Sequence, residues 1–431
     1  MIPVGAGARS RLLPVSVPMR YFGAAVAFQV LAWAMLLAGA EALAAFRGGL
    51  GPVPAALHLA TLGVLAMSAV GATLQMLPVA TRQAVRSVAA AKLVWWLLTP
   101  GVALFAAGAA AYRPQLMAAG ALAALAALGI YGWLLFENLR QARGMPAIRA
   151  YGWAALASLA GALALGIALV AHYEHGIALD RGALALAHLV LASYGFMGLL
   201  ALGLSCFMLP MFALAPPPSG LLATGTLIGA VAGIVVAVAG FLFHEPSFVA
   251  AGAMLGFVAA CIHVVMMERS LGSRLRPPLG SAFLLVRVSW ACLVASLALA
   301  AAIVLGLAPE RAGVLFGVLL VPGWLLTFLL GVLQRIVPFL ASVHAGSAGR
   351  GPALVSSMTP ERLLALHRLL HLAALAALAA AAIAGAGSMA RLAAATGLAA
   401  SIVYAAFFVT VMLRLRGAHS GGEPDVLQPT N

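Results

Sequence analysis

Residues 63–78 read GVLAMSAVGATLQMLP, residues 195–210 read GFMGLLALGLSCFMLP, and residues 323–338 read GWLLTFLLGVLQRIVP. All three share one punctuation: Gly, a second Gly eight residues on, and Pro seven residues after that. The positions are Gly63, Gly71 and Pro78, then Gly195, Gly203 and Pro210, then Gly323, Gly331 and Pro338. The prolines are 132 and 128 residues apart. Recurrence at a nearly fixed period marks an internal repeat, and a repeat constrains the whole fold. Two glycines about two helical turns apart share a face and let a neighbouring helix come close. Pro closes the helix or kinks it.

Around these stretches the chain is strongly apolar. Of 431 residues, 64% are hydrophobic and 8% are charged, which is too little charge for a water-soluble surface. Apolar runs of roughly 20 residues cross a ~30 Å hydrocarbon core as helices. The pattern lacks strand-type alternation, so a β-barrel is not expected. Twelve spans are predicted, at 20–46, 55–79, 86–111, 115–137, 149–172, 183–209, 220–243, 247–268, 281–308, 312–339, 364–386 and 389–415. The fold class is therefore an all-α polytopic membrane protein, with twelve transmembrane helices in three four-helix repeats. The units are 20–137, 149–268 and 281–415, with a polar tail at 416–431. Each marked helix is the second of its unit.

The formal net charge of +14 is a topology signal, not a nucleic-acid one. The N-terminus, the loops after even-numbered spans and the tail hold 18 basic residues, Arg9, Arg11, Arg276 and Arg350 among them; the opposite loops hold five. The remaining basic residue, Arg287, falls inside the ninth span near its arginine-rich end. Basic residues accumulate on the cytoplasmic side, so a bacterial inner membrane with both termini cytoplasmic is expected. No cleavable signal is expected, because the first apolar run is too long for one. Cys206, Cys261 and Cys292 all fall in spans and suggest no disulfide framework.

The histidines fall on two sides. His58, His172, His175, His188 and His244 fall on the arginine-poor side, with Glu174, Asp180 and Glu245 nearby in sequence. His172 and His175 are three apart and can share a helical face. Imidazole with carboxylate suits copper, zinc or iron; equally, such side chains mark a water interface. His58 and His188 sit at similar depth in two related helices. His263, His344, His367, His371 and His419 fall on the arginine-rich side. His367 and His371, four apart, can hold a metal, with His344 joining them across the loop, or form a solvated helix end beside anionic headgroups. Met76, Cys206, Met208, Met211, Cys261, Met266 and Met267 are candidate Cu(I) ligands or ordinary apolar filler. Gln75, Gln334 and Arg335 suit a headgroup or helix-end role. Before span eleven, Thr359 is the expected N-cap, with Pro360 in the first turn.

Three sequential four-helix units with special second helices resemble the catalytic subunit of haem-copper oxidases and nitric oxide reductases. The stretches QMLPVAT and QRIVPFLASVH are also similar to divergent oxidase-like proteins near the NnrS group of nitric-oxide-response membrane proteins. The resemblance implies three helical arcs about a pseudo-threefold axis. It implies haem and/or copper, and ligands on second helices, where His58 and His188 fall. The membrane part of span ten lacks the paired histidines of that superfamily, and there is no His-Pro-Glu segment. The resemblance therefore implies a reduced or relocated ligand set, suited to electron transfer, gas binding or nitrogen-oxide and respiratory metabolism. Respiratory subunits or an electron donor would be partners. A twelve-span transporter or metal permease, and a cofactor-free accessory or assembly subunit of a respiratory complex, remain open alternatives.

Overall fold

The computed structural model describes residues 13–177, 180–275, 280, 282–345 and 354–420. Arg9, Arg11, Arg276 and Arg350 lie outside the described residues, as does the tail from 421 onward. Among the described residues, twelve helices are long and apolar enough to cross a membrane. They are α1 (Ser16–Ala38), α2 (Pro52–Thr81), α3 (Val88–Ala110), α4 (Pro114–Gln141), α5 (Pro146–His175) and α6 (Arg181–Ala213), then α7 (Gly220–Leu242), α8 (Pro246–Gly272), α9 (Ala282–Val304), α10 (Ala312–Ala345), α11 (Glu361–Ala384) and α12 (Gly387–Ser420). The chain is a multi-pass membrane protein. Its outward side chains are apolar, as Trp96, Leu122, Ile228, Leu369 and Ile402 show. Its polar side chains Gln29, Gln75, Gln334, His263, His367 and His371 are buried. That inversion suits a hydrocarbon solvent.

The three units close on one another into a ring. Within the units, α3 packs on α4, α7 on α8 and α11 on α12. Between units, α4 packs on α5, α8 on α9, and α12 returns to α1. The marked helices lie inside this ring. Over their apolar windows α2, α6 and α10 are 72%, 67% and 61% buried, while no other span exceeds 50%.

The repeated glycines receive the first helix of each unit. A Cβ on Gly71 would stand 2.8 Å from Tyr21 Cβ, and one on Gly63 2.7 Å from Phe28 Cβ. Gly203 and Gly195 meet Tyr151 and Ser158 at 2.6 Å each. Gly331 and Gly323 meet Leu285 and Cys292 at 3.1 and 3.0 Å. The receiving residues are seven apart, whereas the glycines are eight apart. In a regular α-helix an eight-residue step overshoots two turns by about 80°, so such glycines would not quite share a face. The helix resolves this mismatch by widening. Each marked helix contains an eight-residue π-helical segment, at Leu59–Ala66, Leu191–Gly198 and Leu319–Leu326. The segments start 132 and 128 residues apart, the same offsets as the prolines. A π segment winds an additional residue into the turn, which brings both glycines onto the partner.

Some boundaries differ from expectation. Pro78, Pro210 and Pro338 do not close their helices, which run on to Thr81, Ala213 and Ala345. The first helix ends at Ala38 rather than near 46, because α2 packs against its end: a Cβ on Gly39 would stand 2.7 Å from Pro52 Cβ. Thr359 does not cap α11. Its hydroxyl donates to the Val355 carbonyl of a short preceding helix, and Pro360 takes the cap position. Residues 416–420 extend α12 instead of joining a tail.

Candidate functional site

The three π segments line one cavity of about 920 Å³ at the centre of the ring. Its walls are apolar, and its arginine-poor end is rimmed by Arg47, Arg181 and Glu310, all exposed. His58 and His188 both line it, each half-buried. His58 immediately precedes the π segment of α2, and His188 lies three residues before that of α6. The helix therefore widens next to both imidazoles.

Each ring is held in one tautomer. His58 donates its Nδ1–H to the Pro54 carbonyl at 2.8 Å, one turn earlier on α2. His188 donates its Nδ1–H to the Ala162 carbonyl of α5, also at 2.8 Å. A carbonyl can only accept, so Nε2 of each ring keeps the lone pair. Phe105 tilts against His58 with ring centroids 4.7 Å apart. Tyr194 and Trp324, from two different π segments, pack at 5.3 Å, and the Tyr194 hydroxyl meets Ser296 at 2.9 Å. Arg181 donates to the Tyr173 hydroxyl at 3.1 Å, which ties it to the cavity rim.

His367 and His371 are not a solvated helix end. They are 0% and 1% exposed and stack with centroids 5.6 Å apart. The Thr327 hydroxyl donates to the Pro322 carbonyl at 2.7 Å and so accepts the Nε2–H of His371 at 2.8 Å. The Gln334 amide donates to His367 Nδ1 at 3.0 Å, and Tyr404 tilts against the same ring at 4.9 Å. Burial overturns the headgroup expectation for two glutamines as well: Gln75 is 0% and Gln334 2% exposed. Gln75 accepts the Leu13 backbone N–H at 3.2 Å. His367, His371, Gln334 and Tyr404 lie inward because α10, α11 and α12 pack against one another through these faces.

The other expected site residues are dispersed. His172 donates to the Ile177 carbonyl at 2.7 Å and serves the end of α5. His175 is exposed, 3.9 Å from Glu174. His244 lies 3.5 Å from Asp180. His344 donates to its own helix at the Leu340 carbonyl, 2.9 Å away. His263 is fully buried and donates to the Ser205 hydroxyl at 3.1 Å. The pair Ser205–His263 mirrors Thr73–Tyr131, which meet at 2.9 Å exactly one 132-residue repeat earlier. Among the described residues, no three His, Cys, Asp or Glu side chains gather to hold a metal ion.

Sequence reasoning missed the π segments, Thr327, Tyr404 and the rim arginines. The one available signal was the eight-residue glycine spacing, which a regular helix does not match to a straight neighbour. No family model matches the chain, and no curated protein matches it in sequence.

Proposed function

We propose that this chain is an oxidase-like membrane metalloprotein whose central cavity binds haem through His58 and His188. One observation carries the reading: two imidazoles on related helices line one apolar cavity, and each is locked with Nε2 as its lone-pair atom. A bare ion in this cavity would lack further ligands, since among the described residues no third His, Cys, Asp or Glu joins them. A planar macrocycle brings its own nitrogens and favours apolar walls. Bound haem supplies a redox-active iron, which the protein tunes through axial ligation, ligand hydrogen bonding and burial.

The chain's own groups have distinct tasks. The Pro54 and Ala162 carbonyls orient the two rings and raise the basicity of Nε2. Phe105 fixes the plane of His58. The apolar walls exclude water. Arg47 and Arg181 offer cations to acidic groups at the mouth. This set suits electron transfer or gas binding within respiratory or nitrogen-oxide metabolism. The 18-to-5 distribution of basic residues supports a bacterial inner membrane with cytoplasmic termini and the cavity mouth on the opposite side.

The test is a reduced-minus-oxidised absorption spectrum of detergent-purified protein, made with ample haem supply, with iron measured on the same sample. Haem bands with stoichiometric iron are expected. Well-folded protein with neither overturns the reading. Arg47→Ala combined with Arg181→Ala should keep the band positions while weakening haem retention. Exposed ion pairs contribute about 0.2–1 kcal/mol each, so losing two should weaken retention by about thirtyfold at most. Haem-transfer competition to apomyoglobin reads it directly.

A further inference from the structure

Where the second and third units meet, α8 and α9 leave a crevice of about 560 Å³ between them. It opens outward to lipid, since Ala291, Ala295 and Ala298 on its wall are exposed. An ion pair stands at its arginine-rich end. Arg287 donates from Nε to Glu268 Oε1 at 2.7 Å and from Nη2 to Glu268 Oε2 at 2.8 Å. Trp290 lines the same crevice and is 2% exposed, and its Nε1–H has no partner. A buried indole N–H usually finds one.

The repeat makes these side chains stand out. One 132-residue repeat before Glu268 stands Phe136. Arg287 lies two residues after Leu285, and Trp153 lies two after the matching Tyr151. Phe136 and Trp153 pack edge to face across the α4–α5 seam, with centroids 5.3 Å apart. Trp290 is matched by Leu156 in α5 and by Val26 in α1, and Arg287 is matched by Gly23 in α1. The α8–α9 seam thus carries charges and an indole N–H where its counterparts are apolar. Ionised groups on a lipid-facing surface are costly and mark function.

We propose that this crevice binds one phosphatidylethanolamine molecule from the arginine-rich leaflet. The polar groups match that lipid in order of depth. The ion pair leaves Arg287 Nη1 to donate to the phosphate, and leaves each Glu268 oxygen a further lone pair for the ammonium. Three residues deeper on α9, about 4.5 Å, Trp290 supplies an N–H for an ester carbonyl. Ala291, Val294, Ala295 and Ala298 then make room for an acyl chain. From Arg287 to Ala298 the helix rises about 16 Å, near half of the ~30 Å hydrocarbon core and so the depth of one leaflet. A choline headgroup has no N–H to give Glu268, and a glycerol headgroup brings it no cation.

The test titrates delipidated full-length protein with chain-matched phosphatidylethanolamine, phosphatidylcholine and phosphatidylglycerol, and counts bound lipid by native mass spectrometry. Wild type should bind one phosphatidylethanolamine about tenfold or more tighter than either competitor, because the headgroup contacts are charge-assisted. Glu268→Phe with Arg287→Trp, which installs the pair of the α4–α5 seam, should lose that preference. Trp290→Phe keeps a ring and removes the N–H, so binding should weaken about two- to tenfold while the preference remains. If the double variant does not fold, Trp290→Phe and the wild-type headgroup series decide. Equal affinity for all three lipids, preference for phosphatidylglycerol, a preference that survives in the double variant, or unchanged binding in Trp290→Phe would each overturn the proposal. Equal affinity would mean that the crevice holds ordinary bulk lipid.

Discussion

Replacing Gly120 or Gly252 with alanine is expected to abolish the folded protein. A Cβ on Gly120 would stand 2.2 Å from the Phe105 backbone nitrogen and 2.6 Å from the Gly101 carbonyl oxygen. One on Gly252 would stand 2.6 Å from both the Ala237 nitrogen and the Gly233 carbonyl oxygen. Backbone atoms cannot swing aside as a flexible side chain can, so whole helices must separate. Overpacking a core costs about 1–3 kcal/mol even when side chains can adjust. Within lipid the loss is harder to recover, because helix association there depends on close packing.

The third unit provides the control. Gly101, Gly233 and Ala374 each lie thirteen residues after the start of α3, α7 and α11. Gly120, Gly252 and Ala393 each lie six residues after the start of α4, α8 and α12. Ala374 and Ala393 are fully buried, so this hairpin already accommodates a methyl group at both positions. Ala393→Gly should therefore fold, at a cost of about 0.5–1 kcal/mol. Size-exclusion profiles in detergent and thermal unfolding measure the contrast. A Gly120→Ala protein as stable as wild type would show that α3 and α4 pack less closely than described.

On the proposed haem site, replacing His58 or His188 with alanine is expected to remove the haem absorption. Each ring is the end of a short chain: a backbone carbonyl holds Nδ1, which fixes the tautomer and aims Nε2. Among the described residues no third His, Cys, Asp or Glu groups with them to substitute. Loss of an outer-shell partner alone typically costs about 10–100-fold in metal affinity, and loss of the ligand itself should exceed that. His172→Ala is the control. That ring is tied to the Ile177 carbonyl and does not line the cavity, so its variant should keep the full spectrum. Iron content and a difference spectrum of each purified variant decide the matter. Unchanged spectra in both His58→Ala and His188→Ala would sink the assignment.

The division between sequence and structure runs along particular residues. The Gly–Gly–Pro marker identified the second helix of each unit, and burial places those helices at the centre of the ring. Hydropathy located all twelve spans, because crossing a membrane is a local property of about 20 residues. The same marker hid a finer correspondence. Gly120, Gly252 and Ala393 share one position, yet the third residue differs in type and the offset to it changes, so they do not announce themselves.

His58 and His188 were legible as candidates from their placement on related helices, but not their tautomers, which depend on carbonyls four residues away in one case and on another helix in the other. For His367 and His371 the sequence left a metal site and a solvated helix end open, and their burial excludes the second. Their spacing was plain; their burial was not, because burial depends on which face α10 and α12 cover. By itself, the sequence determined the number of helices, their grouping by fours and the unequal charge of the two sides, since hydropathy, repeat period and charge are all written along the chain. Only the tertiary structure decided where helices widen and which polar side chains meet. A π segment answers a mismatch between the eight-residue glycine step and the seven-residue step of a neighbour, and a mismatch exists only once both helices are packed.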